Sequence, residues 1–82
     1  MSNDKTVRDA FLDTVLNQME TGDPPETKVT YDRLIAAGQS RSQALQHIAA
    51  ALRVEMNRMM AESTPFDNKR FAQLLEQIPS TD

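Results

Sequence analysis

The sequence contains no cysteine and no tryptophan, and only one histidine and two glycines among its 82 residues. Without cysteine there are no disulfides, no thiolate metal ligands and no thiol nucleophile. A single histidine, His47, excludes a multi-histidine metal centre within one chain. Two glycines, Gly22 and Gly38, are too few for a phosphate-cradling glycine loop. No apolar run approaches the roughly 18 residues that a membrane-crossing helix needs. The first eight residues are polar and lack the apolar stretch of a secretory signal. The expected compartment is therefore the cytoplasm. Alternating, β-branched strand character is also missing, with residues 27–31 the only weak candidate.

What remains is helical periodicity, cut by a few strong breakers. In residues 4–21 the apolar positions are Val7, Phe11, Leu12, Val15, Leu16 and Met19, spaced as one stripe of an amphipathic helix. Ser2, Asn3 or Asp4 could cap its start, and Gly22 stands in the usual C-terminal stop position. Asp23, Pro24 and Glu26 then read as the start of a second helix, with Asp23 and Glu26 spaced as a capping box. That helix is expected over 24–37, ending at Gly38, with Leu34 and Ile35 facing the core. Ser40 and Gln43 form another capping box. The third helix, 41–62, is the longest: Leu45, Ile48, Ala49, Leu52, Met56, Met59 and Met60 extend its stripe over about 33 Å. Asp67 caps a last helix over 68–78, Phe66 and Phe71 have the spacing of a hydrophobic staple, and Pro79 ends it. The tail 80–82 reads as loose.

The predicted fold is therefore all-α: a single compact four-helix domain over 1–82. It has a tight helix-turn-helix hairpin and one long central helix, across which the first and last helices pack. The core residues expected from the stripes are Phe11, Leu12, Val15, Leu16, Leu34, Ile35, Leu45, Ile48, Leu52, Phe71, Leu74 and Leu75. A domain this small buries only about 60% of its unfolded surface and should be modestly stable.

Charge is unevenly spread. The chain is −3 overall, but residues 1–32 carry three basic and seven acidic side chains. Residues 33–61 carry Arg33, Arg41, Arg53 and Arg58 against Glu55 alone. The plain reading is that these charges solvate outer helix faces. Asp9, Asp13 and Glu20 share the outer side of the first helix without the ligand spacing of a calcium loop. His47 lies at the edge of the apolar stripe, with Gln43 one turn below as a hydrogen-bonding neighbour and no carboxylate close by in sequence. It reads as a packing or hydrogen-bonding residue. Neither catalytic residues nor a cofactor or metal site is expected, and the chain is read as a non-enzyme.

Two features point to partners. Segment 33–48 has the outline of a DNA-binding helix-turn-helix, in which Arg41, Gln43, Gln46 and His47 would supply base-reading side chains. The acidic composition and the long apolar stripe of the third helix count against it, and a simple helical hairpin explains the turn. The cluster Met56, Met59 and Met60 is the second feature. Methionine fills irregular gaps in cores and also lines adaptable binding surfaces. Because the third helix is longer than the second and fourth, its end could remain uncovered and invite a second subunit or a partner helix. The leading expectation is a non-enzymatic protein-interaction or self-association module. A small DNA-associated regulator is the alternative.

Residues 23–79 also resemble a family of small, uncharacterised bacterial all-helical proteins, a domain of unknown function. The likeness is carried by Pro24, Pro25 and Glu26, by Tyr31, Arg33 and Leu34, and by Gly38. It continues through Ala44, Ile48, Leu52, Glu55 and Met56, then Pro65, Asp67, Phe71 and Leu75. It implies a helical fold and a cytoplasmic bacterial setting, with no established reaction. Similar sequences carry two histidines one turn apart where this chain has Ser42 and Gln46, so no paired-histidine metal site carries over.

Overall fold

Four helices and no strand make up the described residues of the computed structural model, which are 3–79, with side chains from residue 10 onward. They are α1 (Asn3–Thr21), α2 (Pro25–Ala36), α3 (Arg41–Glu62) and α4 (Asn68–Glu76). The all-α class is as the periodicity predicts. Val7, Asp9 and Ser2, named above for the first helix, have side chains outside the described set, and 80–82 lie outside it altogether.

Glycine sets both short connections. Gly22 adopts φ 73°, and the N–H groups of Gly22 and Asp23 both turn back to the carbonyl of Gln18. Gly38 adopts φ 101°, and Gln39 N–H returns to Leu34 O. These left-handed angles suit glycine and close the last helical turn. The start of α3 has the expected box: Ser40 Oγ accepts from Gln43 N–H at 3.1 Å, and Gln43 Oε1 accepts from Ser40 N–H at 2.9 Å.

The start of α2 differs from expectation. Pro24, not Asp23, is the capping residue, and no side chain caps the helix. With the first helical residue at Pro25, the third is Thr27 rather than Glu26, so the Asp23–Glu26 box falls out of register. The Thr27 hydroxyl instead donates to Gln18 Oε1 at 2.9 Å, tying α2 to α1. At the other end α2 stops at Ala36, and α4 stops at Glu76, two residues before the expected 78. There Gln77 and Ile78 turn tightly, with Ile78 N–H donating to Leu75 O. Arg33 Nη2 donates to Leu75 O at 3.1 Å and Gln39 Nε2 to Pro79 O at 3.1 Å. A guanidinium on the terminal carbonyls of α4 suits the negative end of the helix.

The core is built around α3, which packs on α1, α2 and α4, while α2 also touches α1 and α4. Val15, Leu34, Leu45, Ile48, Leu52, Phe71 and Leu75 are buried, and Phe11, Leu12, Leu16 and Leu74 pack on them half-buried. Ile35 is the correction: it is 39% exposed. The inward side of α2 is Thr27, Thr30 and Leu34, and Ile35 lies about 100° around the helix from Leu34. The Phe66–Phe71 staple forms, with ring centroids 5.4 Å apart in an edge-on arrangement.

Candidate functional site

The length of α3 decides what remains open. Its 22 residues span about 33 Å, whereas the nine of α4 span about 14 Å. The buried residues of α3 run from Ala44 to Glu55 and stop. Beyond them Met56 is 38% exposed, Met59 is half-buried and Met60 is 74% exposed. The methionine cluster is therefore neither a sealed core nor a single free surface. Met59 leans on the protein, Met56 forms its edge, and Met60 stands in solvent.

Beside Met56 lies a hollow of about 270 Å³. Leu52 and Met56 of α3 meet there with Phe66 and Asn68 from the α3–α4 connection and the start of α4. The facing wall is Thr14 and Gln18 of α1, with Asp23 and Pro24 of the first turn. The physical reason for the gap is topological. Among the described residues α1 and α4 have no Cα atoms within 8 Å of each other, so no helix roofs the stretch of α3 between them.

The polar groups at this hollow are partly committed. Thr14 Oγ1 donates to Ala10 O at 3.0 Å. Gln18 is 9% exposed and its Oε1 accepts from Thr27, but its Nε2 donates no hydrogen bond among the described residues. Asp23 is exposed and forms no ion pair among the described residues. The same holds for Arg53, on the side of α3 that also carries Met56 and Met60. The walls thus combine apolar carbon, the side-chain amides of Gln18 and Asn68, and one carboxylate. That set suits seating a side chain and lacks a nucleophile held against a base. Among the described residues no three His, Cys, Asp or Glu side chains gather closely enough to hold a metal ion.

Glu55 is the residue that sequence reasoning missed. It is 0% exposed in the middle of the inward stripe of α3. Its Oε2 accepts from the N–H of Asp67, the residue that caps α4, at 3.2 Å. Its Oε1 is buried and accepts no hydrogen bond among the described residues. The signal was present: Glu55 follows Leu52 by three and precedes Met59 by four, which places it inside the stripe. The charge itself argued for an outer position.

The proposed nucleic-acid residues lie at the opposite end of α3 and are drawn into local contacts. Arg41 Nη1 donates to Tyr31 Oη at 3.2 Å, and its guanidinium sits 5.9 Å from that ring's centre. Gln43 closes the capping box, and Gln46 Nε2 donates to Ser42 Oγ at 3.4 Å. His47 is half-buried. Of the acidic face on α1, Asp13 and Glu20 are exposed, and the Asp9 side chain lies outside the described set. No described helix is long and apolar enough to cross a membrane. Compared with known proteins, the chain matches no family model, no curated protein and no solved structure. The functional reading therefore rests on geometry.

Proposed function

We propose that this protein is a non-enzymatic interaction module that binds a protein partner or itself through the uncovered end of α3. The observation that carries this reading is Met60, a long apolar side chain 74% exposed one helical turn beyond Met56, which lines the hollow. Single exposed apolar residues such as Val29 are ordinary on protein surfaces. An exposed methionine one helical turn beyond a concavity that Leu52, Met56 and Phe66 help to line is a different arrangement, because a partner can cover both at once and methionine adapts its shape to what it meets.

The DNA-associated reading draws on Arg41, Gln43, Gln46 and His47. It is the weaker of the two, because Arg41 and Gln43 have intramolecular work and the chain is acidic overall. Retardation of mixed DNA fragments at low salt would revive it.

The test compares two baits, the wild-type chain and Met60→Asp, in capture from the native host, alongside light scattering at several concentrations. The reading expects self-association or a captured protein, in either case present with the wild type and lost with the variant. Neither result, with both baits folded, would overturn it.

A further inference from the structure

Resting on that reading, the geometry points to a second copy of this chain as the occupant. We infer that the hollow is one half of a self-complementary contact, in which a second copy seats its Met60 there and sets its Arg53 against the carboxylate of Asp23.

Size comes first. At about 270 Å³ the hollow falls below the roughly 300–1,000 Å³ of clefts that enclose whole small-molecule ligands. It is suited to one or two side chains. Position comes second. A two-fold interface requires one surface to carry both the projection and its receptacle, close enough for the axis to pass between them. Met56 is a wall of the receptacle and Met60 stands one turn further along the same helix, 74% exposed. Pairing the ends of two α3 helices about such an axis exchanges Met60 between the copies.

Charge selects the same occupant. Among the described residues Asp23 is the one charged side chain lining the hollow, and it has no ion pair there. Arg53 precedes Met56 by three and Met60 by seven, so the three share one side of α3. Each copy therefore offers an apolar knob with a cation and a hollow, part apolar and part amide, with an anion. Across the chain the same opposition recurs, since residues 1–32 are net acidic and 33–61 net basic.

Unmet backbone groups add a third complement. Ser63 closes α3 in a left-handed turn, and Thr64 N–H returns to Met59 O. Residue 65 is proline and has no N–H, so the carbonyls of Met60 and Ala61 lack their helical donors. The Nε2 of Gln18 in the partner's hollow, which donates no hydrogen bond among the described residues, is a donor of the right kind for such a carbonyl.

Sedimentation equilibrium tests the contact. A patch this small belongs with the weak interfaces, below about 1,200 Å², so the range to scan is about 10 µM to about 1 mM at low salt. The wild type is expected to rise from 9.2 kDa toward twice that mass. Met60→Asp is expected to remain monomeric with unchanged helical circular dichroism. Arg53→Glu is expected to weaken association about three- to fivefold, as for an exposed ion pair, and adding Asp23→Arg to restore it. A wild type that associates equally well with Met60→Asp would overturn the contact and leave self-association through another face. A wild type monomeric at the highest concentration would overturn it too. The broader reading would then stand or fall on the two-bait capture.

Discussion

The two halves of α3 are made of similar residues and live in different surroundings. Over 41–52 the helix begins in a closed capping box and buries Ala44, Leu45, Ile48, Ala49, Ala51 and Leu52 under its neighbours. Over 53–62 the stripe continues as Met56, Met59 and Met60, but the protein covers it only in part. The one fully buried side chain of this second half is a carboxylate, Glu55. Apolar spacing thus fixes which side of a helix faces inward, while the lengths of the neighbouring helices fix how far along it there is an inside to face.

The sharpest way to break this comparison is to truncate one residue in each half. Ile48→Ala removes a fully buried branched side chain and is expected to cost about 2–5 kcal/mol, much of the stability of so small a domain. Met60→Ala should change stability by less than about 0.5 kcal/mol, as surface substitutions usually do. Urea denaturation followed by circular dichroism measures both. Comparable losses would mean that the end of α3 is as well packed as its beginning.

Glu55 tests the second half by another route. Glu55→Ala leaves the Asp67 N–H without its acceptor and opens space in the interior, and is expected to cost about 1–3 kcal/mol. Glu55→Gln keeps a carbonyl oxygen for that N–H and removes the need to bury an acid with one oxygen unmet. It should retain most of the wild-type stability. Hydrogen exchange adds location: in Glu55→Ala the amides of 67–71 should lose protection before those of α1. Uniform loss over the whole chain would mean that Glu55 has no particular hold on α4.

Much of this was legible from residue spacing, and the failures lie where tertiary contacts decide. Val15, Ile48, Leu52 and Phe71 announce themselves by helical period, and Ser40 with Gln43 by capping chemistry. The Phe66–Phe71 staple is readable because both partners lie within one turn of the Asp67 cap. Glu55 was read as solvated, and nothing marked Thr27 as buried, because burial of a polar side chain depends on a partner elsewhere, the Asp67 N–H for one and Gln18 for the other. Ile35 was misjudged for the opposite reason. Local hydrophobicity suggested an inward position, but Thr27, Thr30 and Leu34 define the side of α2 that meets the other helices. The hollow had no signature at all, since it exists because α1 and α4 do not meet.

Smaller effects distinguish the two ends of the helix itself. At its start, Ser40→Ala removes the oxygen that accepts from Gln43 N–H and is expected to cost about 1 kcal/mol. At its end, Ser63 holds φ 53° and ψ 43°, a left-handed conformation in which a side chain is strained. Glycine relieves that strain but gains freedom in the unfolded chain, so the two effects partly cancel. Ser63→Gly should therefore stabilise by about 0.5 kcal/mol, with the left-handed strain outweighing the entropy. Melting curves of the two variants at one concentration should move in opposite directions. If Ser63→Gly destabilises instead, the left-handed turn costs little in the wild type. The end of α3 would then be as well fitted locally as its start, and its openness would come from the short neighbouring helices alone.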